Sequence, residues 1–174
     1  MKFPPGRSAF AFLGLALAAL DQGTKAWVEA TLELGARVDV FPVFAWVHVI
    51  NTGAAFSLFA DGSGWQRWLF IALALVFTIW LLWELSRLGA QDTWVAFAYG
   101  CILGGALGNL VDRVESGAVT DFLLFHWFDR AYFPAFNVAD VAITIGAGVW
   151  IVLIGLEVMG RGPLISGAQS ETDA

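Results

Sequence analysis

Four apolar stretches, each about the length of a bilayer crossing, divide the chain, and polar residues collect between them. The first begins at Ser8, and helix-forming residues continue through Asp21, Lys25 and Trp27. As one helix, residues 8–31 would be ~36 Å long at ~1.5 Å per residue, enough to cross a membrane. The second, 65–86, is uncharged from Trp68 to Trp83, and Trp65 and Trp83 can mark its two interfaces. Leu88 to Asp92 is a short connection, so the third helix, 93–112, should return antiparallel beside the second. Gly100, Gly104 and Gly108 recur every four residues and give that third helix a face for close helix contact. The fourth helix spans 137–159, with Asn137 as its cap and Asp140 three residues later, in capping-box spacing.

The polar–apolar rhythm changes over residues 36–60. Val38, Val40, Val43, Val47, Val49 and Ile50, with Phe41, Phe44 and Trp46, favour strands. Pro42 interrupts them, which predicts an edge strand or two short strands. Asn51-Thr52-Gly53-Ala54-Ala55-Phe56 suits a turn with room beside its small residues. Residues 113–135 read as a second connection, polar at first and then aromatic, carrying Asp121. The pattern amounts to one membrane-embedded domain over 1–165 and a polar, disordered tail over 166–174. Both chain ends fall on one side of the membrane, and the loops 33–64 and 113–135 share the other. The basic start of the chain favours a cytoplasmic N-terminus.

Composition strengthens the membrane reading. The chain is 59% hydrophobic and only 14% charged, more apolar surface than a soluble domain of this size can hide. The net charge of -6 and the lack of a basic run argue against nucleic acid as a partner. The single cysteine, Cys101, lies mid-span, where it reads as a packing residue. Residues 1–20 also have the outline of a secretory signal peptide, with Ala16-Leu17-Ala18 imitating a cleavage site, but helix formers run on past it to Leu32.

Candidate chemistry sits at the helix ends. Asp112, Asp121 and Asp140 lie at or between the ends of the third and fourth apolar segments, and acids beside hydrocarbon usually have a function. Asp121 and Asp140 come from different segments on the same side, so they can meet as a carboxylate pair. One acid, ionised, would activate water, while the other, protonated, would donate to a carbonyl. Asp140, in the first turn of a helix, is where the dipole favours an anion, which makes Asp121 the expected holder of a shared proton. Asp112 is expected to close the third helix beside Arg113, to be neutralised there and to orient it. Asp21 and Lys25, four apart, can pair on one helix face. His48 reads as a strand histidine with an ordinary hydrogen bond. Two histidines without a cysteine cluster, and no His-Glu-x-x-His motif, make zinc a poor fit, and no metal or cofactor is expected. A Ser57–Lys25 pair lacks a nucleophile-elbow context. The residues alone leave two classes open: a peptidase, or a small proton- or cation-coupled membrane carrier, which would predict mid-helix polar groups in broken helices or repeats.

Five motifs in order carry a resemblance: Asp21-Gln22-Gly23-Thr24-Lys25, Asn51-Thr52-Gly53-Ala54-Ala55-Phe56, Gly105-Ala106-Leu107-Gly108-Asn109-Leu110-Val111-Asp112-Arg113, Val119-Thr120-Asp121-Phe122 and Phe136-Asn137-Val138-Ala139-Asp140. On a four-span profile they resemble the bacterial lipoprotein signal peptidases, or signal peptidase II. The resemblance implies an α-helical integral protein of the cytoplasmic membrane, with four transmembrane helices and a small periplasmic β-cradle. It implies an aspartyl endopeptidase whose catalytic pair falls on Asp121 and Asp140. Its substrates would be diacylglyceryl-modified prolipoproteins, cut before the modified cysteine, and globomycin-type peptides would inhibit it. Membrane lipids would surround it, and both termini would be cytoplasmic. The other motif positions are Asn51 and Arg113, which resemble substrate-backbone contacts, Asn109 and Asn137, which resemble supports of the pair, and Gly53, Asp21, Lys25 and Asp112.

Overall fold

The computed structural model describes residues 7–53, 64–89, 91–128 and 130–161. Four helices and four strands follow in the order α1 (Ser8–Thr31), β1 (Arg37–Phe41), β2 (Phe44–Asn51), α2 (Trp65–Arg87), α3 (Thr93–Glu115), β3 (Val119–Trp127), β4 (Ala131–Tyr132) and α4 (Val138–Val158). Helices α2, α3 and α4 are long and apolar enough to cross a membrane. In α1, Asp21, Lys25 and Glu29 are the charged residues of an otherwise uncharged sequence. Ala16-Leu17-Ala18 lies inside α1, where Leu17 packs against Gly104.

Helix α3 is the centre of the bundle and touches the other three. It is largely buried, whereas α2 and α4 turn most of their surface outward. The glycines explain how α3 can hold so many neighbours. A Cβ at Gly104 would lie 2.7 Å from the Gly14 oxygen of α1, and one at Gly105 would run into the Ala139 oxygen of α4. Helix α2 is held differently, by Leu81, Leu85 and Leu88 packed on Val95, Tyr99 and Leu103. Cys101 is buried where Gly146 of α4 approaches α3.

At one end of the bundle lies an antiparallel sheet in the order β1-β2-β3-β4. Pro42 sits in the turn between β1 and β2, so two short strands form there. The segment 113–135, expected as a connection, is different. Helix α3 runs one turn further, to Glu115, and β3 follows as a nine-residue strand paired along β2. Val119 to Trp127 is an apolar run with aromatics and a β-branched start, entered through Gly117 at φ 85°. The acid at its third position is what disguised it as a loop. Asp121 is therefore a strand residue, fixed by pairing with Val49.

Candidate active site

Two backbone features bring Asp121 to Asp140. The first is a bulge in β2: Trp46 faces Leu123 and Val49 faces Asp121, so Val47 and His48 together oppose Phe122. Such a bulge bends the strand and re-aims the side chains next to it. The second is Phe136, whose carbonyl accepts from the Phe122 and Leu123 amides and whose own amide donates to Leu123. This bridge ties β3 to the residue just before the α4 cap. Asn137 then caps the helix: its Oδ1 accepts from the Asp140 amide at 2.9 Å, and Asp140 Oδ2 accepts from the Asn137 amide at 3.2 Å. The cap that starts α4 thus fixes the carboxylate of Asp140.

Every oxygen of the two carboxylates receives a donor. Asp121 Oδ1 accepts from Asn137 Nδ2 at 2.7 Å, and its Oδ2 accepts from Asn51 Nδ2 at 3.0 Å. Asp140 Oδ1 accepts from Asn109 Nδ2 at 2.9 Å, completing the set begun by the cap. Three asparagines from β2, α3 and the α4 cap thus enclose the two acids. Burial, with the charge of Asp140 second, pushes the Asp121 carboxyl up to about 7, against the opposing pull of its asparagine bonds and of Lys25. That shift is mainly the mark of a buried carboxyl, to which the neighbouring Asp140 adds.

Both acids lie in the wall of a cavity of about 1070 Å³. Its polar end holds Asn51, Asn109 and Arg113. Its other wall is apolar, with Leu73 and Phe77 from α2, Ile102 and Ala106 from α3, and Val141 and Ile145 from α4. Such a cavity accepts an amphiphile, with a polar part at the carboxylates and an apolar part between the helices.

The family model described as signal peptidase (SPase) II matches residues 13–156. The chain belongs to the signal peptidase II family. It is 54% identical over 143 residues to the lipoprotein signal peptidase of Pseudomonas syringae pv. tomato, covering 82% of this chain and 83% of that one. The lipoprotein signal peptidase of Pseudomonas aeruginosa is 50% identical over the same length, covering 82% and 85%. Among solved structures, a bacterial membrane enzyme determined by the in meso method at 2.3 Å superposes with a TM-score of 0.79 at 26% identity, covering 92% of this chain and 94% of that one. A second such enzyme, at 1.9 Å, gives 0.74 at 28% identity, covering 88% and 95%. The chain is thus a multi-pass membrane protease by family. The carrier reading loses its support, and the four helices are unbroken.

In this family member Arg113 lies at the cavity rather than on Asp112. Its Nη1 donates to the Asn109 carbonyl at 3.1 Å and its Nη2 to the Gly53 carbonyl at 3.3 Å, and the guanidinium lies over Phe70. Gly53 is held in turn by its amide on Asn51 Oδ1 at 3.0 Å, an Asx turn that also points the Asn51 amide at Asp121. Ala54, Ala55, Phe56 and Ser57 lie outside the described residues. His48 makes the ordinary bond expected of it, Nδ1 to the Leu32 carbonyl at 2.9 Å.

The expected neutralisation of Asp112 by Arg113 is not what the structure shows. Asp112 Oδ2 pairs with Lys25 at 2.7 Å and accepts from the Thr120 amide at 3.3 Å, while Oδ1 accepts from Gln22. Consecutive residues on a helix point about 100° apart, so Asp112 faces α1 while Arg113 faces the cavity. Lys25 does pair with Asp21, at 2.6 Å, but the pair is one edge of a buried cluster. Three contributors had no role assigned from the sequence: Gln22 and Thr120, which stood only within the motifs, and Glu29, which stood outside them. Glu29 follows Lys25 by four residues, as Lys25 follows Asp21, and that repeat was the available signal.

Proposed function

We propose that this chain is an aspartyl endopeptidase of the bacterial cytoplasmic membrane that removes signal peptides from diacylglyceryl-modified prolipoproteins. It cuts N-terminal to the lipid-modified cysteine, at the periplasmic face. The observation that carries this reading is the meeting of Asp121 and Asp140, fully hydrogen-bonded, at the polar end of an otherwise apolar cavity between helices. The acyl chains of the substrate lie along the α2 and α4 walls, and its backbone crosses the carboxylates beside Gly53 and Arg113.

Asp140, ionised, takes a proton from a water held between the acids. Asp121, protonated, donates to the scissile carbonyl as the water oxygen attacks. The tetrahedral intermediate then collapses, and the proton taken from the water passes to the leaving amine. The pair titrates as a unit, and this assignment names its working microstate. The asparagines hold both carboxylates in place, so little reorganisation accompanies the reaction. The mechanism needs no metal and no covalent adduct.

The test is cleavage of a diacylglyceryl-modified prolipoprotein by the purified protein in detergent, with chelator present. Asp121→Asn and Asp140→Asn should each lose turnover by several orders of magnitude and still bind globomycin. Substantial cleavage by either variant would remove the carboxylate pair from the mechanism.

A further inference from the structure

Helix α1 contributes nothing to the cavity wall, yet one stripe of its surface reaches α3, β3 and α4, the three segments that carry Asn109, Asp121 and Asp140. Asp21, Lys25 and Glu29 stand four apart on that stripe. Asp21 Oδ1 accepts from the Ala139 amide of α4 at 2.8 Å, one residue before Asp140. Lys25 Nζ donates to Asn109 Oδ1 of α3 at 3.0 Å and pairs with Asp112. Glu29 accepts from the Thr120 hydroxyl of β3 at 2.7 Å, one residue before Asp121. Asp21 and Lys25 are almost completely buried. Burying the charges of Asp21, Lys25 and Asp112 does not by itself stabilise a fold, because desolvation offsets the attraction, while Glu29 at the end of the stripe is exposed. A cluster bonded to α3, β3 and α4 at the residues that support or adjoin the carboxylates calls for another explanation.

From this arrangement we infer that the α1 stripe is the positioning template of the catalytic pair, with Lys25 setting the orientation of the Asn109 amide and Glu29 the placement of the strand that carries Asp121. This inference rests on the reading of Asp121 and Asp140 as the reacting acids. The logic at Asn109 is electrostatic. Its Oδ1 accepts from Lys25 and from Asn137 Nδ2 at 3.2 Å, which turns its amide nitrogen toward Asp140. A flipped amide would set its oxygen against the Asp140 carboxylate and its NH2 against an ammonium, repulsive on both sides. The ammonium thus enforces the one orientation in which Asn109 donates to Asp140. At Thr120, the amide is held by Asp112 and the hydroxyl by Glu29, so β3 is gripped on the face opposite Asp121.

The test reads turnover, KM, globomycin affinity and the pH profile in detergent, with Asp121→Asn assayed alongside. The charges acting on Asp121 are Asp140 from α4, Arg113 from α3 and Lys25 from α1, with Asp112 of α3 held one residue away on the Thr120 amide, while β2 offers the neutral Asn51. Lys25→Met removes the nearest stabilising ammonium and frees the Asn109 amide. It should lower kcat about tenfold or more, leave KM and globomycin affinity near wild type, and move the alkaline limb upward by about half a pH unit or more. Lys25→Met with Asp112→Asn keeps the cluster's net charge and, if the single variant does not fold, should show the same loss of kcat with KM and globomycin affinity unchanged, because the Asn109 amide is still released; wild-type kcat in that folded double variant overturns the template. Glu29→Ala leaves no buried charge behind; it should lower kcat with KM unchanged, and Glu29→Gln, which still accepts from Thr120, should restore it. An unshifted alkaline limb in a folded Lys25 variant, or Glu29→Ala with wild-type kcat, overturns the template. Persistent cleavage by Asp121→Asn would instead overturn the reading on which it rests.

Discussion

At the scale of the residue, the site is decided by what each carboxylate touches. Asp121 is buried and faces a second acid, and its carboxyl rises from an ordinary 3.8 to about 7. Between those values the folded protein holds a proton that the unfolded chain has lost, so stability falls as pH rises through that window. The shift corresponds to on the order of 4 kcal/mol, spread over the coupled pair. Asp121→Asn removes that penalty. Its melting temperature in detergent should exceed wild type at pH 8, with the difference closing toward pH 4; a variant less stable at pH 8 would mean that the lost carboxylate bonds outweigh the relieved repulsion. Activity carries the same signature. A pair that must hold one proton loses turnover as that proton leaves, so cleavage should decline on the alkaline side with an apparent pKa near 7. A profile flat from pH 6 to 9 would contradict a shared proton. In the sequence, Asp121 and Asp140 stood out because each is an acid at the edge of an apolar segment. The partner of Asp112 did not, because adjacency to Arg113 suggested a pairing that helix geometry forbids.

At the scale of the element, legibility followed periodicity. The helices could be read from long apolar runs with glycine spacing, and the α4 start from an asparagine three residues before an acid. Strand β3 could not be read as such, since the acid at its third position broke the apolar run and its partner strand β2 lies about seventy residues earlier. A strand is stabilised by neighbours remote in sequence, whereas a helix cap is local. The close contact between α3 and α4 has a direct consequence for function. Gly105 lies under the Ala139 carbonyl, one residue from Asp140, and any side chain there must push the first turn of α4 away. Gly105→Ala should lower the melting temperature by several degrees and, with Asp140 as the proposed reacting acid, turnover by about tenfold or more, since a ~1 Å misplacement can cost up to roughly a hundredfold. Gly148→Ala, on the same helix as Asp140 with nothing within 4 Å of its Cβ position, should be neutral in both. Equal effects from the two variants would detach the α3–α4 contact from catalysis.

At the scale of the whole molecule, burial sorts the helices by their surroundings. Helix α3 is enclosed by protein, while α2 exposes Trp68, Leu73, Val76 and Ile79, and α4 exposes Ile145, Ile151 and Val152. In water such surfaces would drive aggregation; in a bilayer they are the lipid face. With α1 as a fourth crossing, the C-terminal end of α1, the N-terminal end of α2, the C-terminal end of α3 and the N-terminal end of α4 all lie at the sheet. The carboxylates must then sit at that one face, and the N-terminal end of α1 and the C-terminal end of α4 at the other. On the proposed function, a lipid-modified substrate would enter between α2 and α4 without its acyl chains leaving hydrocarbon, and its cleavage site would arrive at the sheet end. That end has to be periplasmic if the substrate's mature part has already crossed the membrane. Reporter fusions read this directly. A fusion after Ser116, at the end of α3, should report periplasmic, and one after Gly89, between α2 and α3, should report cytoplasmic. The two sites are joined by a single helix of 23 residues, so they cannot share a side unless α3 fails to cross. A periplasmic signal at Gly89 would place the carboxylates in the cytoplasm, away from any translocated substrate, and would overturn both the topology and the proposed cleavage.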